Sequence, residues 1–278
     1  MSLSERDLIV LEKIRNWEQQ LDEYEASFFE QSYEKWLERA FEQLPPKLQD
    51  KFYTMLDGWF VQLHALLQGS QLQSDARQRI LHSAQNQHPH IQDVQDLRQL
   101  PIDRLIYFAE QEISNHRLYS FAQGGLAGAG GFLFIAADIP LMLAINLRAV
   151  QLLSLIYGKE VNTPYEMVTS LKVFHAATLP KHHQGKGWRD LVSEIEEDRD
   201  SFFWYDGTVR LTDGRWMELP LKQLIKSLFI LLFKRKLIQG IPLIGMGIGA
   251  GMNYGLTRQV TGFAHHFYQL RYLMEKGD

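Results

Sequence analysis

The chain has 278 residues, with 29 Lys plus Arg against 33 Asp plus Glu, a formal net charge of −4, and no cysteine. That balance supplies no basic field to collect phosphates, which argues against nucleic-acid binding, and the missing thiols exclude disulfide scaffolds, thiol nucleophiles and thiolate metal sites. With 45% apolar and 22% charged residues and a negative mean hydropathy, the composition suits one helical domain over 1–278 rather than a polytopic transporter, with amphipathic helices in 1–100 and the core in 101–278.

Ser4 and Asp7 make a capping-box-like start, and Val10, Ile14, Trp17, Leu21, Tyr24 and Phe28 follow at spacings of three and four, which predicts a long amphipathic helix. Its stripe runs on through Trp36, Leu37 and Phe41 to Pro45-Pro46, where proline removes the amide donor and restrains the residue before it. Phe52, Met55, Leu56, Trp59, Phe60, Leu63 and Leu67 mark a second helix ending at Gly69, and a polar helix near 73–86 precedes a loop at His88-Pro89-His90. No basic run leads into an apolar core at the N-terminus, so no signal peptide is expected and the chain is placed in the cytoplasm.

Helical periodicity returns from Ile102 to Tyr119, and then charge nearly vanishes: between Gly124 and Asn146 only Asp138 is formally charged. The length meets the cue for a membrane span of about 20 apolar residues. Asp138-Ile139-Pro140 reads instead as a helix start, the carboxylate capping free amides and proline sitting in the first turn, so 121–157 is expected to be two helices joined by a bend. The first arm, 121–136, would be about 24 Å long, short of a hydrocarbon core, and a re-entrant or interfacial hairpin fits better. Arg148, the second charge of this block, is expected to be paired if buried.

An amphipathic helix is expected over 163–179, and a short helix about Leu191 and Ile195 within the charged stretch 181–200. Asp213-Gly214 between alternating runs predicts a small β-hairpin near 208–219. A second apolar block spans 224–257, and a final helix carries Val260, Phe263, Phe267, Leu270 and Met274 on one face.

Glycines punctuate both blocks. Gly124, Gly128 and Gly131 lie in the first; Gly245, Gly247, Gly249, Gly251 and Gly255 lie in the second, around Asn253. Each costs a helix nearly 1 kcal/mol relative to alanine, so stripes at spacings of four predict a compensating close approach of backbones, in lipid or in a tight core. Lys222, Lys226, Lys234, Arg235 and Lys236 precede the second block and Arg258 follows it. Such cations snorkel to headgroups and attract anionic lipid at about 1 kcal/mol each, which points to the cytoplasmic face of a membrane.

Other chemistry lacks its context. Gly245-Met246-Gly247-Ile248-Gly249-Ala250 satisfies a dinucleotide-binding pattern, but no βαβ alternation surrounds it and no strand-end acid follows. His175, His182-His183 and His265-His266 make no zinc spacing, and surface or loop positions are expected for them. Glu194, Glu196, Glu197 and Asp198 read as a solvated face. No metal or cofactor is called for.

The run GGLAGAGGFLFIAADIPLMLAINLRAVQLLSLIYGKE, together with IPLIGMGIGAGMNYGLTRQVTGFAHHFYQLRYL, resembles the EcsC family, in its glycine-rich lead into A-D-I-P, its L-R-x-x-Q helix and its G-x-x-x-G-A-x-x-N-Y block. The resemblance implies a bacterial, membrane-associated accessory role alongside an ABC transporter or in an envelope or secretion process, and it supplies no catalytic residues. The leading expectation is therefore a mainly α, non-enzymatic protein whose partners are membrane lipids, with transporter subunits or a second copy of the chain as further candidates. Its rivals are a soluble helical module that shelters an amphiphile or partner helix between the glycine blocks, and an uncharacterised hydrolase using histidines with Asp138 or the acidic run.

Overall fold

The computed structural model describes residues 3–32, 35, 39, 71–86, 88–128, 132–161, 163–201, 230 and 245–277. Helix α1, Glu5–Asp22, opens on the expected box: Ser4 Oγ accepts from the Asp7 amide at 3.2 Å, and the Asp7 carboxylate takes the Ser4 amide at 2.8 Å. It stops at Asp22 rather than running on to the proline pair. The cause is a second capping box, in which the Glu30 carboxylate accepts from the amide and hydroxyl of Ser27 while Ser27 Oγ accepts from the Glu30 amide, so helix restarts at 28–32. The helix expected over 52–69 and the β-hairpin near 208–219 lie outside the described residues.

Helix α2, Gln71–Gln85, and a 3₁₀ turn, Gln95–Gln99, lead into α3, Ile102–Gly128. Helix α4 is Phe132–Ile156, with Pro140 inside it and Asp138 well past its first turn. The bend expected at Asp138-Pro140 is thus absent, and α4 runs through both residues. Proline inside a helix costs about 3 kcal/mol, which the nearly complete burial of α4 from Ile139 to Tyr157 offsets. Gly158 ends this helix with a φ of 76°: its amide bonds to Leu155 and that of Lys159 to Ser154, leaving no clear space for a side chain against Arg98.

Helix α5, Pro164–Thr178, is capped by the Thr163 hydroxyl on the Glu166 amide. Helix α6, Lys181–Ser201, occupies the whole charged stretch rather than one short turn of it, and α7, Gly245–Gly277, carries the second glycine block and the final amphipathic stretch as one helix. Two bonds set α7 antiparallel to α3: Tyr272 Oη donates to the Leu100 carbonyl at 3.0 Å, and Ser120 Oγ to the Asn253 carbonyl at 3.0 Å.

Helix α4 packs against α3, α5 and α7 and is the innermost element. Its window Ile139–Ile156 is long and apolar enough to cross a membrane, yet 83% of it is buried inside the protein, as a core helix that is apolar all round must be. Helix α1 lies across α6 and α7 through an aromatic cluster of Trp17, Trp188 and Phe263. One buried ion pair joins α5 to α7, with Arg271 donating two bonds to the Glu166 carboxylate at 2.7 and 2.8 Å.

Candidate functional site

The outward face of α3 changes character along its length. Glu110, Gln111, Ser114 and Asn115 are exposed in its middle, and on the same face Leu118, Tyr119, Phe121 and Ala122 are exposed a turn further on. Leu118 is 66% exposed, Tyr119 63% and Phe121 50%. Helix α7 extends this apolar surface with exposed Tyr254, whose ring meets that of Phe121 edge-on at 6.5 Å, and with the bare backbone of exposed Gly251 and Gly255. A large apolar surface left on the outside of a folded chain marks a place where something else binds.

The inner seam of the same two helices is built from small polar residues. Thr257 Oγ1 donates to Ser120 Oγ at 2.7 Å, and Thr261 Oγ1 to the Thr257 carbonyl at 2.7 Å. Ala250, Asn253, Thr257, Thr261 and Ala264 are all buried along α7. A Cβ added at Gly125 would stand 3.9 Å from that of Ala250, ordinary contact. Asn253 is 1% exposed, and neither amide atom of its side chain has a partner.

The glycines of the two blocks face different ways. Gly124 is buried in α3 and Gly128 is the last residue of that helix, but Gly251 and Gly255 turn outward, with no atom of the described residues within 4 Å of a Cβ built on either. The reason is the hydrophobic effect: an amphipathic helix turns Leu256, Val260, Phe263 and Phe267 inward, and the glycine stripe is left on the far side. Gly245, Gly247 and Gly249 open α7, and Gly131 lies outside the described residues.

The glycines that do allow close approach sit in the charged helix α6. At Gly185 a Cβ would collide with Asp22 Oδ1 and stand 3.2 Å from the Leu21 carbonyl oxygen, and at Gly187 it would meet Ala176 and Leu179 at 3.1 Å. Sequence reasoning missed both, although two glycines within a helix are themselves the signal.

Pro140 is buried in α4, and Arg148 is half-buried there, its guanidinium pushed down by burial. Arg258 is exposed on α7, whereas Lys222, Lys226, Lys234, Arg235 and Lys236 lie outside the described residues. His265 and His266 are helix-packing residues and do not occupy surface or loop positions. The Tyr157 hydroxyl lies 2.8 Å from His265 Nε2, with the Gln269 amide nitrogen at 3.1 Å, and His266 stacks on Trp17. Burial pushes His265 down to about 3, and His266 acts in the same direction. Among the described residues no group of three His, Asp or Glu is disposed to hold a metal ion.

A groove of about 480 Å³ runs between α5 and α6, with Ala176, Leu179 and Leu191 among its apolar lining and Lys172, His175, His183 and Lys186 among its polar lining.

The model of the EcsC protein family matches residues 9–273. Over 282 aligned residues, 96% of this chain and 92% of the relative, the chain is 24% identical to uncharacterized protein YdbA of Bacillus subtilis. Over 167 residues, 60% of this chain and 63% of the relative, it is 29% identical to protein EcsC of the same organism. No solved structure matches the chain.

Proposed function

The chain belongs to the EcsC protein family, and we propose that it is a non-enzymatic accessory protein that docks on the cytoplasmic face of a membrane in support of an ABC transporter or an envelope or secretion process. The observation that carries this reading is the exposed surface of Leu118, Tyr119, Phe121 and Tyr254 on α3 and α7. Aromatic side chains beside cations suit the headgroup level of a bilayer, where one end of the ring is apolar and the other wet. The contact is read as peripheral because α4, the most apolar helix among the described residues, is already covered by protein.

Vesicle flotation tests it. Wild type is expected to float with vesicles containing phosphatidylglycerol, and Leu118→Glu/Phe121→Glu, at two exposed positions, to stay at the bottom of the gradient. Wild type left wholly in the soluble fraction at low salt sinks the proposal; a dimer dissociated by the same double change assigns the surface to a second copy instead.

The groove between α5 and α6 supports a second reading, a soluble module that shelters an amphiphile. Native mass spectrometry separates the two, because this reading requires a bound lipid on a monomer that ignores vesicles.

A further inference from the structure

The antiparallel register of α3 and α7 places side chains in ranks one helical turn apart. Gly125 stands opposite Ala250, and Phe121 opposite Tyr254. One turn further along, four residues back on α3 and four forward on α7, the same register sets Arg117 opposite Arg258. Two guanidinium groups therefore share one rank at the border between the apolar half of the α3 face and its polar half.

Their surroundings make the pairing unusual. Arg117 is half-buried, and its Nε is shielded from solvent with no hydrogen-bond partner. Among the described residues the titratable groups that act on it are the Tyr254 hydroxyl and Arg258, and it acts in turn on His265, with no carboxylate among these. Neither arginine is ion-paired among the described residues, as Arg15 and Arg104 also are not, whereas Arg77, Arg98 and Arg271 are. Like charges held together without a counter-charge repel one another and leave donors unused. An anion between them reverses both effects, and guanidinium matches a phosphate by paired N–H donors.

We propose that Arg117 and Arg258 form a clamp for the phosphate of an anionic phospholipid headgroup, with Phe121 and Tyr254 set beside its acyl chains. The source is a lipid rather than a free phosphate because the clamp borders the exposed apolar surface, where a headgroup and its chains meet both kinds of partner. This assignment rests on the membrane-docking reading and names its ligand.

The test is binding of the full chain to two vesicle sets, phosphatidylcholine alone and phosphatidylcholine with phosphatidylglycerol. Arg258→Gln, at an exposed position, and Arg117→Gln are each expected to weaken binding to the anionic vesicles about fivefold, the effect of one cation near a charged surface. Arg258→Lys recovers part of the loss, since it restores charge without the paired donors. Lys13→Gln, an exposed cation on α1, is the control for net charge and leaves binding unchanged.

Equal binding of wild type to both vesicle sets, or equal losses in the Lys13 control, overturns the clamp and leaves membrane docking standing. Absence of binding to either set overturns both. Vesicle-free calorimetry with inorganic phosphate is the remaining arm: saturable binding that both arginine changes abolish would make this a free-phosphate site and overturn the lipid assignment.

Discussion

Lys276 Nζ donates to the Asp7 carboxylate at 2.7 Å, joining the last turn of α7 to the first turn of α1. Asp7 is fully buried and also closes the cap on α1, so one side chain serves both the start of the fold and its end. Burial alone would raise this carboxyl, but hydrogen bonds from Lys276 and Ser4 outweigh it and hold Asp7 below the usual carboxylate range.

Asp7→Asn is therefore expected to lower stability by about 2 kcal/mol at neutral pH, as loss of a charge-assisted hydrogen bond does. Because the folded-state value is depressed, the contribution is complete above the unfolded-chain value of about 4 and is lost as pH falls through the folded one. Urea titrations of wild type and variant at a series of pH values check this. A gap that stays constant into strong acid would show that the charge on Asp7 contributes nothing.

The glycines supply a contrast of sign. Gly185→Ala drives a methyl group against Asp22 and the backbone of Leu21 and is expected to destabilise by about 1–3 kcal/mol, the usual cost of overpacking. Gly251→Ala and Gly255→Ala add a methyl on an open helix surface and are expected to stabilise by about 0.5–1 kcal/mol each through helix propensity. Chemical denaturation of the three variants decides it. Marked loss of stability in either α7 variant would mean that the outward face of α7 is covered by backbone after all.

That contrast also shows what the sequence could and could not disclose. Val10 and Ile14 of α1 and Val260, Phe263 and Phe267 of α7 are buried as their spacing requires, because periodicity reports which face leaves water. The stop of α1 was legible too, in Ser27 and Glu30, but the apolar stripe running past them masks the capping signal. Glycine spacing misleads because a residue without a side chain fits a crowded seam and an empty surface equally well, and only neighbouring bulk decides between them. Of the two arginines of the proposed clamp, Arg258 stands among the headgroup candidates read from the sequence; Arg117 does not, since it is brought into the argument by a helix more than a hundred residues away.

His265 gives the fold a defined acid sensitivity. Burial holds its imidazole neutral, down to about 3, and the Tyr157 hydroxyl and Gln269 amide both lie against Nε2, so the tautomer with its proton on Nδ1 lets Nε2 accept from Tyr157. Burial also raises Tyr157, so its hydroxyl keeps the proton it donates. In the unfolded chain the same histidine protonates near 6.5. The unfolded state therefore binds one more proton between about pH 6.5 and 3, and stability, complete above that window, falls on acidification by up to about 1.4 kcal/mol per pH unit for this one group. His116, His175 and His266 are lowered by burial as well and act in the same direction. His265→Gln keeps an acceptor for Tyr157 and cannot take up the proton, so its stability is expected to fall less steeply between pH 6.5 and 4, by about one proton's worth of slope. Unfolding free energies of wild type and variant across that range measure the difference directly. Parallel slopes would mean that His265 charges freely in the folded protein, and the buried Tyr157–His265–Gln269 arrangement would then not hold in solution.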